Sequence, residues 1–87
     1  MKISDGLILR DVAGSHVVVN VGKTLDFNGM ITLNETGAFI WKLIENGDGF
    51  DAIVDAVCNK YGIDSSTAEA DTKKYIDKMK EAKLIVE

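Results

Sequence analysis

An α+β domain, a winged helix-turn-helix in which a three-stranded antiparallel sheet is followed by three helices, is what these 87 residues imply. Three features point to it. β-branched and aliphatic runs broken by Gly-containing turns fill the first third of the chain. At Asn34 the apolar spacing changes from alternating to helical. Beyond it, amphipathic segments are separated by Asn46-Gly47 and Tyr61-Gly62, both good helix stops.

Each element follows from its residues. Leu7–Val12 (LILRDV) and His16–Val21 (HVVVNV) read as a hairpin around Ala13-Gly14-Ser15, where Gly supplies a positive φ. Val17, Val19 and Val21 share one face of the second strand. A loop with Gly22-Lys23 follows, and Asn28-Gly29 signals a turn into the third strand, Met30–Leu33, short and placed at a sheet edge. Asn34 is the expected N-cap of the first helix, with Glu35 in its first turn and Phe39, Ile40, Leu43 and Ile44 at helical spacing. The second helix begins after Asp48 or Gly49, carries Phe50, Ile53, Val54, Val57, Cys58 and Tyr61 on one stripe, and stops at Gly62. Asp64 or Ser66 caps the third, and Ser66 with Glu69 fits a capping box. That helix runs to about Ala82 with Ala68, Thr72, Tyr75, Ile76 and Met79 inward, and Leu84-Ile85-Val86 is a short docked or β-like tail.

Composition narrows the function. Hydrophobic residues at 46% and charged residues at 28% describe one small globular domain. A net charge of −4 disfavours a general nucleic-acid or anionic-membrane binder. One Cys and one His build neither a metal centre nor a catalytic dyad, since His16 sits in the hairpin and Cys58 on an apolar stripe. A single Cys fits a reducing, cytoplasmic setting better than secretion. No apolar run is long enough to span a bilayer, and the N-terminus lacks the pattern of a signal peptide. Charge is unevenly distributed: residues 73–83 hold five lysines against Asp77 and Glu81. On a helical wheel Lys73, Ile76, Lys80 and Lys83 share a flank of the apolar stripe, while Lys74 and Lys78 turn toward solvent. A winged helix that reads DNA would present the first turns of its third helix to phosphates; here they carry Asp64, Glu69 and Asp71. A DNA-binding regulator is therefore the alternative, disfavoured by charge.

Gly29-Met30-Ile31-Thr32-Leu33-Asn34-Glu35-Thr36-Gly37-Ala38-Phe39-Ile40-Trp41, then Tyr61-Gly62-Ile63-Asp64, then Asp71, Tyr75, Ile76 and Met79 before Leu84-Ile85, together resemble the PqqD family. That family is grouped with the precursor-peptide recognition elements of ribosomally made, modified peptides, and the resemblance spans nearly the whole chain, 1–87, as one domain. Two departures stand out: Lys83 occupies a position where the family often has Gly before the last Leu, and the Gly22–Asn28 connection is longer than usual.

The resemblance implies a non-catalytic adaptor without a cofactor of its own. A leader peptide would add as a strand to the edge of the third strand, beside the third helix, for a radical S-adenosylmethionine enzyme or a leader peptidase. Met30, Ile31, Thr32 and Leu33 would supply backbone pairing, since an edge strand offers unpaired N–H and C=O groups. On the helical-wheel placement, Thr72 and Ile76 would form the apolar groove wall, and Lys73 and Lys80 would meet leader carboxylates. Asn34 would cap, Gly37 would permit close packing, and Trp41 would lie in the core. A homodimer through the same edge is a further possibility.

Overall fold

The computed structural model describes residues 1–20 and 30–86. Strand β1 (Lys2–Ile3) is followed by β2 (Leu7–Val12), β3 (Ser15–Asn20) and β4 (Met30–Leu33). Helices α1 (Glu35–Glu45), α2 (Phe50–Tyr61) and α3 (Ser65–Glu81) come next, and β5 (Ile85–Val86) is the last described element. The three predicted strands are β2, β3 and β4, in that order across one antiparallel sheet. The Gly22-Lys23 loop, Val21 and the Asn28-Gly29 turn fall outside the described residues.

The hairpin between β2 and β3 closes through two residues, Ala13 (φ 51°) and Gly14 (φ 83°). Two consecutive positive φ values define a type I′ turn, whose twist matches that of the flanking strands. Leu9, Val18 and Ile31 lie opposite one another across the three strands. Their face meets the helices: Val18 is fully buried, with Leu7 beside it in the core. Val17 and Val19 share the other face; Val17 is buried there too, but Val18 between them is the one that joins the cluster packed with the helices. Three successive valines gave alternation nothing to distinguish the faces by.

All three helices start where the sequence expects, and α2 also stops where it does. The Asn34 Oδ1 accepts from the Gly37 N–H at 2.8 Å, capping α1. Gly49 precedes α2, and Gly62 ends it at φ 64°. At α3 the cap is Asp64, whose Oδ1 accepts from the Thr67 N–H at 2.8 Å; Ser65 already opens the helix, so the Ser66–Glu69 capping box is not used. Trp41, Ile40, Ile44, Ile53, Val57 and Ala68 pack together in the core, and Cys58 lies half-buried against it.

The C-terminal end of α3 carries the main feature the sequence did not announce. Lys83 N–H donates to Lys80 C=O at 3.0 Å and Leu84 N–H to Met79 C=O at 2.8 Å, the paired bonds of a Schellman motif. Lys83 therefore occupies the left-handed position, at φ 61°. Chain reversal there sends β5 back to β1, pairing Ile3 with Ile85 and Lys2 with Val86. Ser4 clamps the same turn: its N–H donates to Leu84 C=O at 2.9 Å and its hydroxyl to Lys83 C=O at 2.8 Å.

Two stability measurements follow. A side chain with a Cβ costs about 1–2 kcal/mol in the left-handed region, partly offset because Gly loses more freedom on folding. Lys83→Gly is therefore expected to raise the urea-unfolding free energy by about 0.5–1 kcal/mol. Hydrogen bonds from the Thr67 side chain and its backbone N–H hold the Asp64 carboxyl below its ordinary value. With the folded value below the unfolded one, about 3.9, the cap contributes fully above that pH and weakens as pH falls through the folded value. In thermal melts from pH 6 to pH 2, Asp64→Asn is expected to lose less stability than the wild type across the acid end.

Candidate functional site

β4 ends its sheet: β3 pairs with one of its edges, and among the described residues no strand pairs with the other. The hairpin turn decides which groups that edge presents. A two-residue loop makes Val12 and Ser15 a hydrogen-bonded pair, and bonded pairs alternate along an antiparallel ladder. Ser15, Val17 and Val19 thus direct their backbone groups to β2, while His16 and Val18 direct theirs to Leu33 and Ile31. Met30 and Thr32 are left with N–H and C=O pointing away from the sheet.

Alongside this edge runs an open cavity of about 560 Å³. Ile31, Thr32 and Leu33 form one wall, and α3 forms the other through Tyr75, Lys78, Met79 and Ala82, with Leu84 beyond. The spacing 75, 78, 79, 82 is one helical face. The Schellman turn folds Leu84 back beside Met79, so the reversal that ends α3 also builds the floor. A second recess of about 420 Å³ abuts the first at Asn34, Tyr75 and Lys78, and adds Thr36, Asp71 and Lys74.

Tyr75 stands between the two recesses, and α1 fixes its position. The cap commits Asn34 Oδ1 to the Gly37 N–H, which turns the amide so that Nδ2 donates to Tyr75 Oη at 2.6 Å. Gly37 makes room for the ring: a Cβ there would lie 3.3 Å from Tyr75 Cε1 and 3.3 Å from Asn34 Oδ1. The caps of one helix and the face of another are thereby joined at the mouth of the groove.

The edge residues sit where the sequence placed them, and the α3 residues do not. Thr72 is fully buried and Ile76 nearly so, in the core rather than on the groove wall. Lys73 and Lys80 are exposed and line neither recess. The groove face is turned by one residue, about 100°, from the core stripe. Lys74 and Lys78, read as solvent-facing, line the recesses instead, and Tyr75 and Ala82 belong to the wall. The Leu33-Asn34-Glu35-Thr36-Gly37 run was the available signal for Tyr75, because Gly on the first turn of a capped helix marks a close approach.

Elsewhere the chemistry is sparse. His16 Nδ1 lies 2.6 Å from Asp11 Oδ1 across the hairpin. Lys60 Nζ sits 5.1 Å from the Phe39 ring centroid. Among the described residues no group of three His, Cys, Asp or Glu side chains could hold a metal ion, and no helix is long and apolar enough to cross a membrane.

Fold and site define a winged-helix domain whose sheet ends, among the described residues, in a strand paired on one edge only, beside a groove. The sequence matches the family of coenzyme PQQ synthesis protein D over residues 15–85, from the start of β3 into β5, and the chain belongs to the PqqD family. Among solved structures it is similar to TbiB1 in complex with the TbiA(beta) leader peptide, with 28% identity and a TM-score of 0.81 over 97% of this chain and 93% of that one. No curated protein matches the chain.

The double role of Asn34 can be separated experimentally. Asn34→Ala removes the cap and is expected to cost about 1 kcal/mol in urea unfolding. Asn34→Ser retains a capping oxygen but cannot reach Tyr75, so it should keep most of that stability while the Tyr75 ring resonances shift in NMR spectra.

Proposed function

We propose that the chain, 1–87 as one domain, is a non-catalytic adaptor that binds the leader segment of a ribosomally made precursor peptide and presents it to a modifying enzyme. The leader adds as a fourth strand to β4, beside α3. The observation that carries this is that, among the described residues, the edge at Met30 and Thr32 has no partner strand and lies along an apolar groove. An extended peptide gains backbone hydrogen bonds from such an edge and side-chain contacts from the groove. Membership of the PqqD family, and the similarity to a protein solved with a leader peptide, support the same reading.

The enzyme served is a radical S-adenosylmethionine enzyme or a leader peptidase acting in the cytoplasm, and any cofactor belongs to it. Tethering raises the local concentration of the substrate segment, so modest leader affinity suffices. The α3 contacts that fit this role are Tyr75, Lys78, Met79 and Ala82, in place of Thr72, Lys73, Ile76 and Lys80.

The alternation along β4 selects the substitution that tests it. Ile31 N–H points into the sheet, so Ile31→Pro would break β3–β4 pairing and report on folding. Thr32 N–H points outward, where an edge strand accepts Pro. In isothermal titration against the leader of a precursor encoded beside this gene, Thr32→Pro is expected to weaken binding at least tenfold with an unchanged circular dichroism spectrum. Thr32→Val should bind as the wild type does. Equal affinity of a folded Thr32→Pro variant would rule out strand addition at this edge.

A further inference from the structure

We infer that the groove selects an extended segment with an acidic side chain two residues before a large apolar one. This rests on strand addition at β4 and adds the substrate's chemistry to it. Side chains directly opposite in paired strands point to the same face. Ile31 and Leu33 face the helices, so the segment residues opposite them enter the groove, and the residue between them points away. Antiparallel pairing is the more stable arrangement and the one β4 already makes with β3. In that direction the residue opposite Leu33 comes first and the residue opposite Ile31 comes two later.

The two ends of the groove differ in chemistry. Beyond Leu33, at Asn34, the walls are Tyr75, Lys74 and Lys78. Because Asn34 Nδ2 donates to the Tyr75 oxygen, the Tyr75 hydroxyl proton is directed elsewhere, and its position between the recesses makes it a donor to a bound oxygen. Lys74 and Lys78 are exposed and form no ion pair within the described residues. Asp71 lines the same recess and offsets one of the two charges, leaving the trio at +1. One hydroxyl and two ammonium groups there match a carboxylate. This positive site lies on a chain of net charge −4, so the attraction is local to the recess.

From Tyr75, α3 runs away from Asn34, and seven residues on, about 10 Å along its axis, Ala82 closes the groove. Around it are Ile31, Met79 and Leu84, none with a charge to satisfy. That end holds a Leu, Ile, Met or Phe side chain.

A ribosome-displayed library of random ten-residue segments, selected at low salt on the immobilised full chain, tests the order. Recovered segments are expected to enrich Asp or Glu two residues ahead of a large apolar residue. An exposed ion pair changes affinity about two- to fivefold, so Lys74→Gln with Lys78→Gln should erase the acidic enrichment and keep the apolar one. Enrichment of the apolar residue alone, or with the acid two residues after it, overturns the inference and leaves strand addition intact. Recovery no better than from bare matrix overturns strand addition and this inference with it.

Discussion

A β-strand has two hydrogen-bonding edges, and among the described residues β4 is paired along only one of them. Much of the rest of the molecule can be understood as the means of keeping that edge in place and giving it a neighbour. β3 holds β4 from one side and places Ile31 and Leu33 against the helices. Asn34, the next residue, ends the strand and begins α1 through its cap. The exposed backbone is thus bounded by a sheet on one side and a helix start on its C-terminal side. An unpaired edge is ordinarily an invitation to aggregate. Here it is four residues long, and only two of those residues direct backbone groups outward, which limits what an indiscriminate partner could gain.

The second wall of the groove depends on two distant contacts. At one end, the Asn34 amide holds the Tyr75 hydroxyl, and Gly37 lets the ring approach. At the other, the Schellman turn at Lys83 brings Leu84 beside Met79, and Ser4 with the β1–β5 pair secures it. The N-terminal residues therefore support the groove through the turn that follows α3. The left-handed Lys83 explains in physical terms why Gly is frequent there in the family: the position needs positive φ, and only Gly reaches it without steric cost.

Most elements were legible because their signals are local. Asn34, Gly47, Gly62 and the Ala13-Gly14 turn act through their own backbone neighbours, so the sequence carries them directly. The strand pair β1–β5 was not legible. It joins two residues at each end of the chain, and a two-residue strand has no period to detect. The rotation of α3 was missed for another reason. A helical wheel finds one apolar stripe, but α3 packs on two surfaces. Thr72, Ile76 and Met79 serve the core, while Tyr75, Met79 and Ala82 serve the groove. Only Met79 belongs to both. With Tyr amphipathic and Ala small, the second stripe carries almost no hydrophobic contrast, and the lysines beside it look solvent-facing.

This division of labour on α3 bears on how such a small domain can evolve new partners. The core stripe meets the groove at Met79, and positions 74, 78 and 82 are exposed, so substitutions at those three alter the groove without opening a core cavity. Strand pairing through Met30 and Thr32 is blind to sequence, because it uses backbone groups alone. On the proposed reading, affinity common to all extended segments comes from β4 and discrimination among them from α3. The two can then change independently, much as distant, non-contacting sites contribute additively. Tyr75 is the exception. Its hydroxyl is tied to the cap of α1, so replacing it perturbs the groove and the helix start together, and its change is expected to carry a folding cost, as is that of the buried Met79.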